Sequence, residues 1–142
     1  EPAIVLESAG ISGRTTGKNP LVLETEENSS GTMIIRTPKI FVEVIELLQM
    51  GENPHKIAFW VQEALAEALL RNYLGFIRED SILPLVLSGG VSYNSILFNC
   101  FTSFFKRNQH VKEYKFMTNR ELPPGDGGIS AGQIVIGMNK CC

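Results

Sequence analysis

Apolar and polar positions change rhythm several times along the chain, and each change marks an element. "PAIVLESAG" (2–10) has the make-up of a short helix, with Gly10 as its expected stop. "LVLETEENSSGTMIIRT" (21–37) places two strand-like runs around a polar turn at Asn28–Gly31, which predicts a hairpin. From Pro38, apolar residues recur at 41, 44, 45 and 48, the spacing of one helix face, and Gly51 ends the run. "NPHKIAFWVQEALAEALLRNYLGF" (53–76) predicts the longest helix, with Asn53 as N-cap and Pro54 at its first position. Its buried stripe is expected at 57, 61, 64, 65, 68 and 69, with Glu63, Glu67 and Arg71 facing water.

The second half alternates strands with helices. "ILPLVLSG" (82–89) is nearly all apolar, as a strand buried on both faces of an α/β sheet would be, and Pro84 puts its start near a sheet edge or end. Residues 92–107 predict a helix with Ile96, Leu97, Cys100, Phe101, Phe104 and Phe105 on one face. "EYKFMT" (113–118) reads as a short strand, and "DGGISAGQIVIGMNK" (126–140) as a helix. In that last helix Gly128, Ala131 and Gly132 leave room for another element to pack very close. The fold class this predicts is α/β, a sheet with flanking helices, made mixed by the early hairpin.

Composition narrows the class. At 142 residues, 44% of them hydrophobic and 20% charged, the chain has the balance of one globular domain with a core. A formal net charge of −2 gives no electrostatic reason to expect nucleic acid as a partner. No apolar run reaches the roughly 20 residues of a membrane helix, so no membrane partner is expected. The opening "EPAIVLESAG" has neither an initiator Met nor a signal region, and the expectation is an excised piece of something longer. Cys100, Cys141 and Cys142 form neither a disulfide framework nor a zinc knuckle, and the cytoplasm is the expected compartment. Cys100 falls on an apolar stripe and reads as core; the terminal pair reads as exposed thiols without a neighbour that would activate them. His55 and His110 read as solvated surface residues, Lys106 and Arg107 as the cationic end of a helix, and Trp60 as core or packing for the hairpin.

Two glycine turns carry the candidate chemistry. A strand that ends in Gly89-Gly90 and feeds a helix allows a ligand to touch the backbone, where a helix start offers unpaired N–H groups. Asn94, read as one turn into that helix, adds a side-chain amide. The same residues also make a tight strand-to-helix turn with no ligand, and they match neither G-x-G-x-x-G nor a Walker A loop. Asp126, before "GGISAGQ", suits a helix N-cap, the commoner use of such a residue, or alternatively one ligand of a metal completed from elsewhere.

Taken together, "LSGGVSYN" (87–94) and, about thirty residues later, "PPGDGGISAGQ" (123–133) resemble the C-terminal end of the hydrogenase maturation carbamoyltransferases of the HypF type. "EPAIVLE" and "NPHKIAFWVQEALAEAL" resemble earlier helices of the same family, so the likeness spans essentially the whole chain. The resemblance implies the actin-like, or sugar-kinase-like, ATPase fold, with residues 1–142 as a single domain, the second, C-terminal lobe of a larger carbamoyltransferase. It implies an ATP-dependent enzyme that converts carbamoyl phosphate to a carbamoyl-adenylate and passes the carbamoyl group to the C-terminal cysteine of a hydrogenase maturation partner. The nucleotide-binding set it implies is Ser88, Gly89, Gly90, Asn94 and Gly127, with Gly89, Gly90 and Asn94 on the adenosine side. Asp126 would complete the site of a divalent metal (zinc, iron or magnesium) shared with histidines outside this chain.

The chain also departs from that family. It contains no His-x-x-x-His, and the zinc-finger, acylphosphatase-like and carbamoyl-activating segments expected upstream are absent. Where many relatives carry Phe-His, this chain has Val61-Gln62. The isolated lobe is therefore expected to be inert without its N-terminal partner lobe and upstream domains. Three other readings share the fold: the sister family that makes threonylcarbamoyladenosine on transfer RNA, a non-catalytic nucleotide-binding scaffold, and an antibiotic-tailoring carbamoyltransferase. The Asp-Gly-Gly of the last motif departs from the Asp-Asn pattern usual in the sister family.

Overall fold

In the computed structural model, residues 2–77, 83–108 and 115–140 are described. The elements run α1 (Pro2–Ser12), β1 (Glu24–Glu27), β2 (Met33–Arg36), α2 (Pro38–Gln49), α3 (Pro54–Phe76), β3 (Leu85–Leu87), a short 3-10 turn (Gly90–Tyr93), α4 (Ser95–Arg107), β4 (Phe116–Thr118) and α5 (Asp126–Lys140). His110, Cys141 and Cys142 lie outside the described residues. Among the described residues, no helix is long and apolar enough to cross a membrane.

The two strand pairs form in different ways, one through a local turn and one across a helix. In the hairpin, Asn28 Oδ1 accepts from the backbone N–H groups of Ser30 and Thr32, and Gly31 takes φ +79°. That closes the turn and fixes the antiparallel register Glu24↔Arg36 through Glu27↔Met33. β3 and β4 pair in parallel, Leu85↔Phe116 through Leu87↔Thr118, with α4 as the crossover. Both antiparallel and parallel pairing are thus present, as two two-stranded sheets among the described residues.

The long helix α3 is the hub. Its Asn53 cap forms as expected, the side chain accepting from the His55 N–H at 2.8 Å. One part of its surface joins Leu21, Leu23 and Ile40 around Ile57, Trp60, Ala64 and Ala68. Another joins Leu97 and Phe101 of α4 through Ala66 and Leu70, over Leu85, Leu87 and Phe116 of the parallel pair. The predicted single stripe is therefore too narrow. Ile57, Ala64 and Ala68 are buried, but so are Phe59, Trp60, Gln62, Ala66, Leu70 and Tyr73, while Leu69 is exposed. A one-stripe pattern describes a helix packed on one side, and α3 is gripped by α1, α2, β1 and α4.

Three other expectations shift. α1 does not stop at Gly10 but runs to Ser12, and Gly10 is buried within it. A Cβ there would stand 2.6 Å from Gln62 Nε2 and 2.7 Å from Ile96 Cδ1, so this glycine serves close packing rather than termination. On α2 the inward residues are Ile40, Val44 and Leu47, and Phe41, Ile45 and Leu48 face outward. Both stripes have helical spacing, and only tertiary packing chooses between them. In β3, Leu85 and Leu87 meet the helices while Val86, 60% exposed, opens on the far face with Met117.

Candidate functional site

Because β3 and β4 are parallel, both deliver their following loops to the same edge, the position beyond strand C-termini where ligands of open α/β sheets bind. β3 presents Ser88, Gly89 and Gly90; the loop after β4 leads through Pro123, Pro124 and Gly125 to Asp126. The two glycine motifs are joined directly: the Gly89 N–H donates to the Pro124 carbonyl at 2.8 Å. Tyr93, 61% exposed at the end of the 3-10 turn, reaches the same loop. A Cβ on Gly125 would stand 3.6 Å from its ring. Between the strand ends lies a cavity of about 170 Å3, lined by Leu87, Ser92, Phe98, Thr118, Asn119 and Pro124.

The glycines differ in what demands them. Gly89 has φ +79° and ψ −176°, a backbone region that side chains forbid. Gly90 has nothing within 4 Å of where a Cβ would stand, so no described residue of this chain explains its bareness. At Gly127 a Cβ would meet Pro123 Cγ at 2.7 Å, and at Gly128 the Pro123 carbonyl oxygen at 2.5 Å. Those two positions therefore admit the preceding proline loop. Gly132, predicted to receive a packed neighbour, has no described residue within 4 Å of where a Cβ would stand.

The start of α4 departs from expectation. Asn94 is its N-cap, not a residue one turn in: Oδ1 accepts from the Ile96 and Leu97 N–H groups, each at 3.0 Å. Glu7 of α1 caps the same end, its Oε1 accepting from the Ser95 N–H and hydroxyl at 2.8 Å each. The Phe98 N–H is taken by the Asn94 carbonyl. The Asn94 N–H goes to the Val91 carbonyl, so the four N–H groups that an open helix start would offer an anion, those of residues 94–97, are already paired. Within the turn, Ser92 Oγ donates to the Gly89 carbonyl at 2.6 Å. The N–H groups of Gly90 and Val91 make no hydrogen bond among the described residues.

Asp126 opens α5, exposed, and its carboxylate makes no hydrogen bond or ion pair among the described residues. Among the described residues, no group of three metal-binding side chains exists, so Asp126 has no companion ligands there. Sequence reasoning missed Glu7 and the buried bonding of Gln62. For Gln62 a signal was present: it interrupts Ala58 and Ala66 at helical spacing, where α1 approaches.

A larger cavity, about 910 Å3, lies between α3 and α4 and includes Phe59, Glu63, Leu70, Asn99, Cys100 and Phe104. No residue of either glycine turn lines it, so size alone does not locate the chemistry. In it, burial pushes the Cys100 thiol up to about 11, with Glu63 and Glu67 adding to the shift and Arg14 and Arg107 opposing it. Such a thiol is protonated at neutral pH, as a core cysteine should be. His55 is exposed, with its ring Nδ1 3.3 Å from the Ala9 carbonyl oxygen.

Residues 1–133 match the family described as carbamoyltransferase, Kae1-like domain, second subdomain. The chain is 29% identical over 133 residues to a probable carbamoyltransferase HypF of Methanocaldococcus jannaschii, covering 94% of this chain and 16% of that protein. To the carbamoyltransferase HypF of Rhodobacter capsulatus it is 26% identical over 97 residues, 68% of this chain and 12% of the relative. The crystal structure of T. kodakarensis HypF superposes with a TM-score of 0.69 at 30% identity, over 96% of this chain and 16% of that one. The chain therefore spans about a sixth or less of the length of these relatives.

Proposed function

We propose, because the chain belongs to the Kae1-like carbamoyltransferase domain family as its second subdomain, that it supplies part of the nucleotide and metal site of an ATP-dependent carbamoyltransferase. The whole protein takes the carbamoyl group from carbamoyl phosphate through carbamoyl-adenylate to the C-terminal cysteine of a partner in nickel–iron hydrogenase maturation. Residues 1–142 form one domain, the C-terminal lobe, inactive without the rest of the protein.

The observation that carries the reading is the Gly89–Pro124 hydrogen bond, which brings the two glycine motifs to one edge of the parallel pair. The adenosine end of ATP lies over Gly89 and Gly90, where the absence of side chains allows close approach. Asn94 shapes this surface through its cap, and Ser88 and Gly127 flank it. The proposed role of Asp126 is to contribute one oxygen to a divalent cation, which supplies charge neutralisation for phosphate oxygens. In the transfer step the partner's thiolate sulfur bonds to the carbamoyl carbon, the bond from that carbon to the phosphate oxygen breaks, and AMP leaves with the electron pair. Pairing at the start of α4 argues that the phosphates bind on the Gly90–Val91 and Asp126 side instead.

The test uses the full-length protein with ATP, labelled carbamoyl phosphate and a partner ending in cysteine. Label should reach the partner only with ATP, disappear with a Cys→Ser partner, and fall at least about 100-fold in Asp126→Ala, as for loss of a group that stabilises developing charge. Transfer that ignores ATP, or that Asp126→Ala leaves intact, would overturn the proposal. Label reaching transfer RNA instead would place the chain with the sister chemistry.

A further inference from the structure

Burying an amide is costly unless its polar atoms are paired, and Gln62 is 4% exposed in the middle of α3. Its bonds divide by direction. Nε2 donates to the carbonyls of Ala58, in its own helix, at 2.8 Å, and of Leu6, in α1, at 3.0 Å. Both amide hydrogens are then used, which leaves Oε1 facing the glycine turn. There it accepts from Asn94 Nδ2 at 2.7 Å. Asn94 is held at its other side by the two cap bonds, and its own N–H donates to the Val91 carbonyl at 3.0 Å, closing the 3-10 turn that begins at Gly90. A continuous run of hydrogen bonds thus leads from the α1 backbone through Gln62 and Asn94 to the turn.

We propose that Gln62 is a positioning residue for nucleotide binding: it fixes the orientation of Asn94, and with it the Gly89–Gly90 turn, without touching the ligand. The inference rests on the nucleotide reading above. A side chain at this place must donate toward α1 and accept toward Asn94, and a primary amide does both. The substitution Gln62→Leu removes both abilities. Asn94→Asp keeps the cap acceptor and loses the donor to Gln62, breaking the one link between the two residues while leaving α4 capped.

ATP affinity of the full-length protein, by calorimetry, tests this independently of transfer, with carbamoyl transfer measured alongside. Gln62→Leu and Asn94→Asp should each weaken ATP binding about tenfold, the worth of one well-made hydrogen bond, and raise KM for ATP with kcat nearly kept. In a double-mutant cycle the second substitution should add almost nothing, because both remove the same link. Additive losses, or unchanged affinity in a folded Gln62→Leu, would overturn the proposal; if that variant does not fold, unchanged affinity in Asn94→Asp does so. A wild type that binds ATP but transfers no carbamoyl group defeats the functional reading and leaves the positioning role supported by the affinities. A wild type that binds no ATP defeats both.

Discussion

Gly13→Ala is the sharpest perturbation of the α1–α3 contact. A Cβ at residue 13 would stand 2.0 Å from the carbonyl carbon and oxygen of His55 and 2.4 Å from the Lys56 nitrogen. Comfortable contact begins near ~3.5 Å, so the two backbones must part by roughly 1.5 Å. No rotamer change relieves this, since every clashing atom is main chain. Overpacking costs typically about 1–3 kcal/mol, and a backbone clash belongs at the upper end. Reduced freedom of the unfolded chain returns about 0.4–1 kcal/mol. The net loss is about 2–3 kcal/mol, or roughly 5–10 °C in Tm for a chain of this size.

Thermal and urea unfolding of the purified protein measure it, with an unchanged m-value showing that the unfolding transition itself is the same. Two other glycines calibrate the result. Gly10→Ala meets side-chain atoms, Gln62 Nε2 and Ile96 Cδ1, at the closest approach and a main-chain atom, the Ala58 carbonyl oxygen, only at 3.3 Å, and should cost less. Gly132→Ala, inside α5 with no described residue within 4 Å, should stabilise by up to about 1 kcal/mol through helix propensity. A Gly13→Ala protein within about 0.5 kcal/mol of wild type would refute the reasoning, because that is the scatter of an ordinary surface change.

Phe101→Ala should cost about 3–5 kcal/mol in urea unfolding, since this ring is buried beneath the parallel pair with its centroid 6.0 Å from that of Phe116. Cys100, with its thiol raised to about 11 by burial, should alkylate at pH 8 about 100-fold more slowly than an ordinary thiol, as peptide mapping can read. The same shift means that the folded state holds this proton more tightly: its contribution to stability is complete below pH 9 and is lost as pH rises through about 11. Glu63 is raised by desolvation and the nearby Glu67 charge, against a hydrogen bond from Asn19. The ionised form is thus the disfavoured one in the fold, and Glu63→Gln should raise Tm at pH 7 by an amount that fades as pH falls through the raised folded value and is gone below 4.5.

What the sequence made legible is what short-range chemistry decides. Asn53 followed by Pro54 starts α3 as expected, because a cap needs only its own next residues. The Asn28–Gly31 turn closes for the same reason. Gly89 reads as a turn residue, and its positive φ is a local requirement. Several misreadings involve partners far along the chain; Asn94 is the local exception, its cap bonds reaching only residues 96 and 97. Gly10 reads as a stop because glycine is a poor helix former, yet Gln62 and Ile96 occupy the space its side chain would need. Of the α2 stripe expected at 41, 44, 45 and 48 only Val44 packs inward, because residues 40, 44 and 47 have the same helical spacing and periodicity cannot choose between the two sets. At the start of α4, Asn94 supplies the local cap, and Glu7, 88 residues earlier than Ser95, takes the Ser95 N–H that this cap leaves over.

That last difference changes the division of work at the proposed site. A helix start that keeps its N–H groups can bind phosphate by its own dipole. Here those groups are spent on Glu7 and Asn94, and a carboxylate stands at the very end that an anion would approach. Glu7 also repels an anion electrostatically, so a nucleotide laid on the glycine turn must direct its phosphates away from α4. The remaining direction runs past the N–H groups of Gly90 and Val91, unpaired among the described residues, toward Asp126 at the start of α5. An anionic side chain there is repulsive to phosphate alone and attractive only through a cation between them. In the proposed reading, the capping of α4 thus leaves phosphate to the Gly90 and Val91 N–H groups and to a cation held by Asp126.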